Sequence, residues 1–185
     1  MSTPSPREQF LVISALGDSP IGLASSLTRA CDEHRCAITN MRLSCHGQST
    51  AVTLQVAGNW DALARLESML PHIAKRQNFT FNLVRSQEKT ERPQSLPYVA
   101  YVSAVYRPDI LNELCQFFFD HQIELDSVAS ETHQVPQTGG DMINATFTLT
   151  LPPGTQISWL RDQFLDFADA LNLDALLEPW RPQPI

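Results

Sequence analysis

The sequence predicts an α+β protein built from two tandem βαββαβ units with antiparallel sheets, and three observations carry that prediction. The order strand, turn, helix, strand, strand, helix, strand runs from about Phe10 to Arg85 and returns from about Tyr98 to Pro179. At an offset of 87 residues Leu27 falls on Leu114, His34 on His121 and Ile38 on Leu125, so the first helix and second strand of each copy align without a gap. A length of 185 residues suits two units, each able to bury a modest core.

The first copy opens with Phe10–Gly17 (FLVISALG), an apolar run of strand length that ends at the turn signal Gly17-Asp18-Ser19-Pro20 and reads as a central strand. From Gly22 a helix follows, with Leu23, Leu27, Ala30, Cys31 and His34 on one face. Ile38–Cys45 and Thr50–Val56 flank His46-Gly47-Gln48-Ser49 as a hairpin, with Val52, Leu54 and Val56 alternating. Asn59 is the expected N-cap of a second helix whose inward face reads Trp60, Leu63, Leu66, Leu70 and Ile73, with Pro71 kinking or ending it. Phe79, Phe81 and Leu83 alternate in a closing strand.

Ser86–Leu96 (SQEKTERPQSL) is polar and proline up to its last residue and reads as a linker. In the second copy Val99, Tyr101, Ser103 and Val105 alternate before Arg107-Pro108-Asp109, and Ile110, Leu114, Phe117, Phe118 and His121 form a helical stripe. Leu125–Glu131 and Ile143–Leu151 are strands joined by an exposed, mobile loop, Gln134–Asp141. A last helix carrying Trp159, Leu160, Phe164, Phe167 and Leu171 and a short strand, Leu173–Leu177, complete the copy. Each unit thus reads as a ferredoxin-like sheet with two helices on one face. The division is a tail at 1–9, a first domain at 10–86, a linker at 87–96, a second domain at 97–180 and a tail at 181–185.

Composition narrows the function. MSTPSPREQF lacks the apolar run of about 7 to 15 residues that a signal peptide needs, and no stretch approaches a membrane span of about 18, so the expectation is a cytoplasmic protein that does not enter a membrane. Cys31, Cys36, Cys45 and Cys115 contain no CxxC pair and read as free, mostly buried thiols. The net charge of −7 divides into +2 over residues 1–92 and −9 over 93–185. Such a chain lacks the basic footprint of direct nucleic-acid binding, and its acidic half suits a basic protein partner or simply a solvated surface.

No nucleophile elbow, phosphate loop, dinucleotide fingerprint or zinc motif is present, and the five histidines are scattered singly. His34 and His121, at the ends of equivalent helices, suit capping or packing. Asp32-Glu33 and Asp166 with Asp169 lie on polar helix faces. The sequence therefore assigns no catalytic residue, no metal ligand and no cofactor, and the protein reads as a non-enzyme. The remaining candidate is the turn Asp18, Ser19, Pro20, Ile21, Gly22 and Leu23, whose free backbone N–H groups at a helix start suit a carboxylate. Asp18, Ser19 and the side chain of Asn40 suit an ammonium group, so the set fits an amino acid. Asp and Ser before a helix are equally ordinary N-caps.

With the duplication and this turn in place, the chain resembles tandem ACT-domain regulators of the type that repress the glycine cleavage operon. The segments that carry the likeness are LVISALG with GLASSLTR, VAGNWDAL, and FFFDHQIELDSVASETH in the second copy. The resemblance implies a non-enzymatic cytoplasmic regulator without its own DNA-binding domain. It further implies glycine as the amino-acid signal and contact with a LysR-type activator protein; a homo-oligomer is compatible with the sequence, which does not give the oligomeric state. A ligand-free interaction scaffold is the alternative. The family's D-R-P-G turn is altered in both copies. The first has Ser19-Pro20-Ile21-Gly22 with Asp18 one residue early; the second has Tyr106-Arg107-Pro108-Asp109, with a carboxylate at the glycine position. Ser127 is the counterpart of Asn40. The first turn is accordingly the expected site.

Overall fold

The computed structural model describes residues 9–87, 95–136 and 139–181. The chain divides into two compact units, 1–90 and 91–185. The first contains β1 (Gln9–Gly17), α1 (Pro20–Glu33), β2 (Ala37–His46), β3 (Ser49–Gly58), α2 (Trp60–Gln77) and β4 (Thr80–Ser86). The second contains β5 (Leu96–Val105), α3 (Ile110–Asp120), β6 (Glu124–Gln134), β7 (Asp141–Leu151), α4 (Ile157–Ala170) and β8 (Asp174–Pro179). The sheet orders are β2-β3-β1-β4 and β6-β7-β5-β8, antiparallel throughout. This is the ferredoxin-like βαββαβ arrangement, twice. Most of the expected linker (88–94), nearly all of the two tails and residues 137–138 of the expected mobile loop lie outside the described residues.

Period-2 alternation builds the first core. Leu11, Ile13 and Ala15 of β1 and Val52, Leu54 and Val56 of β3 point at Leu23, Leu27, Ala30 and Cys31 of α1 and at Leu63, Leu66, Leu70 and Ile73 of α2. Asn59 caps α2 as expected, its Oδ1 accepting from the Ala62 N–H at 2.8 Å. The second core is more aromatic. Phe118 lies within 5.2 to 5.6 Å, ring to ring, of Phe147, Phe117 and Phe164.

That aromatic packing explains which of the two alternating sets of β5 faces inward. Tyr98, Ala100, Val102 and Ala104 face the core, while Tyr101 and Val105 are exposed. Both sets alternate in the sequence, but small residues on the inner face leave room for three phenylalanine rings. Trp60 and Trp159 are likewise exposed rather than inward; Ala62 with Leu63, and Leu160 with Phe164, take the buried places. Nor does Pro71 stop α2, which continues to Gln77 because Ile73 and Ala74 keep burying its inner face beyond the proline. The missing N–H leaves the Glu67 carbonyl without its intrahelical donor, a local cost that packing offsets.

The duplication extends to fine geometry. A bulge interrupts β2 between Ile38 and Asn40 and β6 between Leu125 and Ser127, again 87 residues apart. Arg35 and Gln122 both adopt φ of 56° after the first helix of each copy, and Asn78 and Asn172 adopt 53° and 56° after the second. The His34 Nδ1–H donates to Ala30 O at 2.9 Å and the His121 Nδ1–H to Phe117 O at 2.7 Å, closing equivalent helix ends.

The thiols divide by burial. Cys31 is buried and its pKa is pushed up to about 11, first by burial and then by neighbouring Cys36. An unfolded-chain thiol loses its proton nearer pH 9, so above that pH the unfolded state is favoured, and stability falls as pH rises from about 9 to 11. We expect Cys45, which is exposed, to react with a thiol reagent at pH 8 in the native protein and Cys31 to react only after denaturation. Peptide mapping of labelled native protein that found Cys31 modified as fast as Cys45 would refute this.

Candidate functional site

The strand-to-helix turn of the first copy is built by ordinary capping chemistry. Ser19 has extended backbone (φ −117°, ψ 108°), and its Oγ accepts from the Gly22 N–H at 3.2 Å. The Leu23 N–H donates to Ser19 O at 2.9 Å, and Pro20 at N1 has no N–H. α1 therefore starts at Pro20, two residues before the expected Gly22. Of the first-turn donors, the Ile21 N–H is the one without an intrachain partner among the described residues. Ile21 itself is exposed. Gly22 has a steric reason as well: a Cβ there would lie 3.0 Å from Ser19 Oγ and 3.3 Å from Ser19 Cβ. Substituting it disturbs the cap, so Gly22→Leu is not a clean probe of ligand binding. We expect Ser19→Ala to destabilise the first unit by about 1 kcal/mol, measurable by denaturant unfolding; no change would mean that the cap contributes nothing.

Register places Asn40 elsewhere. β1 is flanked by β3 and β4, and β2 lies beyond β3. Asn40 is opposite Gln55, which is opposite Val12, whereas the turn follows Gly17. Five residues at about 3.3 Å each separate the two levels by about 16 Å along the strands. Within one copy the structure brings Asp18 to Leu23 together and leaves Asn40 apart.

What does converge on the turn is the region between α2 and β4. Leu16 is opposite Thr80, Gly17 is opposite Thr50, and Ser49 begins β3 at the same end of the sheet. A cleft of about 500 Å³ opens there, lined by Leu16, Asp18 and Ser49 on one side and Lys75, Asn78 and Thr80 on the other, with Phe79 beneath. Lys75, Asn78 and Thr80 were not singled out in the sequence. The signal that finds them is topological: in a βαββαβ unit the end of the first strand and the start of the last are neighbours.

The second copy's turn differs. α3 begins at Ile110, three residues later than the position equivalent to Pro20. Asp109 makes no side-chain cap; instead Arg107 Nε lies 3.2 Å from Asp109 Oδ1, and Arg107 Nη2 donates to Glu113 Oε2. The Nε contact is out of hydrogen-bonding alignment, and that nitrogen is buried without a partner. The carboxylates of Asp109 and Glu113 thus occupy the approach to the helix start. Ser127 is engaged too, its Oγ donating to Thr148 Oγ1 at 3.0 Å.

Among the described residues no group of three or more His, Cys, Asp or Glu could hold a metal ion, and no helix is long and apolar enough to cross a membrane. Residues 9–83 match the ACT domain family model. The first unit is similar to an ACT domain over that stretch. The second unit repeats its fold. Over 165 residues the chain is 21% identical to the glycine cleavage system transcriptional repressor of Escherichia coli (strain K12), covering 89% of this chain and 87% of that protein. A crystal structure provisionally assigned to a glycine cleavage system transcriptional repressor superposes with a TM-score of 0.69 at 19% identity, covering 93% of this chain and 97% of that one. A protein from Galdieria sulphuraria gives 0.74 at 17% identity, covering 95% and 100%. At these identities the two structures establish the tandem fold.

Proposed function

We propose that this tandem ACT protein is a non-enzymatic regulator that senses an amino acid through its first unit and acts by contacting a protein partner. One observation carries the reading: the likeness to a named transcriptional repressor spans both units, 89% of this chain and 87% of the relative. The name of that relative makes glycine the first amino acid to test. By the same resemblance the partner is a LysR-type activator of the glycine cleavage operon. The ligand must bind two arrangements of the protein with different affinity, and a coupling of about 1 to 3 kcal/mol is typical of such switches. The test is a set of melting curves of the full chain with glycine and other amino acids, because a ligand that prefers the native state raises the midpoint. A selective rise is expected. No rise at about 10 mM ligand would replace the sensor with a scaffold.

The second unit favours a scaffold role for itself, since Arg107, Asp109 and Glu113 fill its turn. Its charge suits a basic partner. Asp162, Asp166 and Asp169 recur at i, i+4 and i+7 along α4, all exposed. We therefore expect association with the activator to weaken as salt rises beyond about 0.15 M, where charges are screened within about 8 Å. Binding that is insensitive to salt would assign the contact to apolar surface instead.

A further inference from the structure

The two copies have the same fold but opposite chemistry at one corner. In the first, Asp18 and Lys75 line the cleft between the β1–α1 turn and the end of α2. Neither forms an ion pair among the described residues. In the second, the 87-residue offset puts Val105 at the place of Asp18. Alignment of Asn78 with Asn172, the left-handed residues that end α2 and α4, puts Asp169 at the place of Lys75. The sheet register agrees, because Leu16 faces Thr80 as Ser103 faces Asp174. An acidic and a basic residue in the first copy are thus replaced by an apolar residue and an acidic one in the second.

Resting on the amino-acid reading above, we propose that this cleft is the ligand site and that it takes a zwitterionic α-amino acid bearing a side chain. Its carboxylate pairs with the Lys75 ammonium and its ammonium with the Asp18 carboxylate. Opposite charges on the two walls match a zwitterion, whose own charges are opposite, and each contact is a charge-assisted hydrogen bond. The hydroxyls of Ser49 and Thr80 complete a polar rim. Leu16, 54% exposed, and Phe79 form an apolar wall. A volume of about 500 Å³ is far more than glycine needs. In this arrangement Ser19 and Gly22 shape the turn rather than touch the ligand, since the Ser19 hydroxyl and the Gly22 N–H already satisfy each other.

The test uses the full chain and its Lys75→Gln, Lys75→Arg and Asp18→Asn variants. Affinities are measured by calorimetry for glycine, L-serine, L-leucine and L-phenylalanine, each beside the amine that lacks its carboxylate. Leucine or phenylalanine should bind more tightly than glycine. Lys75→Gln should weaken that amino acid about tenfold or more and leave the amine unchanged, Asp18→Asn should weaken both, and Lys75→Arg should retain binding. Both positions are exposed, so the unliganded variants should melt where the wild type does. Affinity that stays within about twofold in Lys75→Gln would overturn this site while leaving amino-acid sensing intact. Absence of binding by any of the four to the wild type would overturn the sensing reading and the site together.

Discussion

Phe118→Ala should unfold the second unit at a denaturant concentration where the first is still folded. The side chain is 1% exposed, and its ring lies 5.6 Å from Phe117, 5.2 Å from Phe147 and 5.6 Å from Phe164. Truncation removes the transfer energy of a phenyl group and leaves a cavity bounded by three other rings, held on α3, α4 and β7. The cost is about 3 to 5 kcal/mol. That is a large part of the roughly 5 to 15 kcal/mol that holds a domain folded, and a unit of this size sits towards the low end. The two cores share no residue, so the damage should be confined. Hydrogen exchange followed by mass spectrometry should show lost protection over Tyr98–Val105 and Ile143–Leu151 and retained protection over Phe10–Leu16 and Val52–Ala57. Equal loss in both would show that the units unfold as one cooperative body.

Elements that bury one clear stripe were legible in the sequence. The α1 face, the β3 alternation and the Asn59 cap each had a single reading, because no competing phase of apolar residues was present. β5 had two. Val99, Tyr101, Ser103 and Val105 alternate as well as Tyr98, Ala100, Val102 and Ala104, and the choice was made by the volume of aromatic side chains on other elements. That is information no window of the strand itself contains. The tryptophans show the same limit. Trp60 and Trp159 sit on the outward side of the first turns of their helices, where Ala62 and Leu160 of the same turns are buried, so their hydrophobicity does not bring them inside. Of the two expectations for Pro71, ending the helix is the one the structure overturns, since intrinsic cost was outweighed by buried residues on both sides of it.

The candidate site was legible by halves. The β1–α1 turn follows from a strand, a polar loop and a helix start in consecutive residues, whereas Lys75 and Thr80 come from the end of α2 and the start of β4, about sixty residues later. Only strand order brings them together. Asn40 lies apart from the turn within one copy for the same reason, because β3 inserts between β1 and β2. Comparing the copies supplies what neither copy gives alone. Where the backbone is repeated, as at the bulges and the left-handed asparagines, the fold requires it. Where the side chains change sign on that unchanged backbone, as from Lys75 to Asp169, the fold does not require them.

Gly17→Ala should destabilise the first unit, and Phe79→Leu should reduce that cost when the two are combined. Gly17 continues the inward phase of Leu11, Ile13 and Ala15, and a Cβ there would lie 3.0 Å from the Phe79 Cβ and 3.7 Å from Leu23 Cδ2. The contact is with the stem of a buried ring rather than with the free end of a side chain, so it cannot be relieved by a rotamer change. Phe79 is itself held by an edge-on contact with Phe81, centroids 6.3 Å apart. Overpacking of this kind costs about 1 to 3 kcal/mol. The second copy has already made the compensated pair: Ala104 and Leu173 stand at these two places, both buried. A leucine gives up the ring contact that pins the neighbouring strand, so the chain can move by the few tenths of an ångström that the methyl group needs. The double-mutant cycle should therefore show a favourable coupling of at least about 0.5 kcal/mol by denaturant unfolding. Simple additivity would mean that the Phe79 ring is not what prevents the chain from making room for a side chain at Gly17.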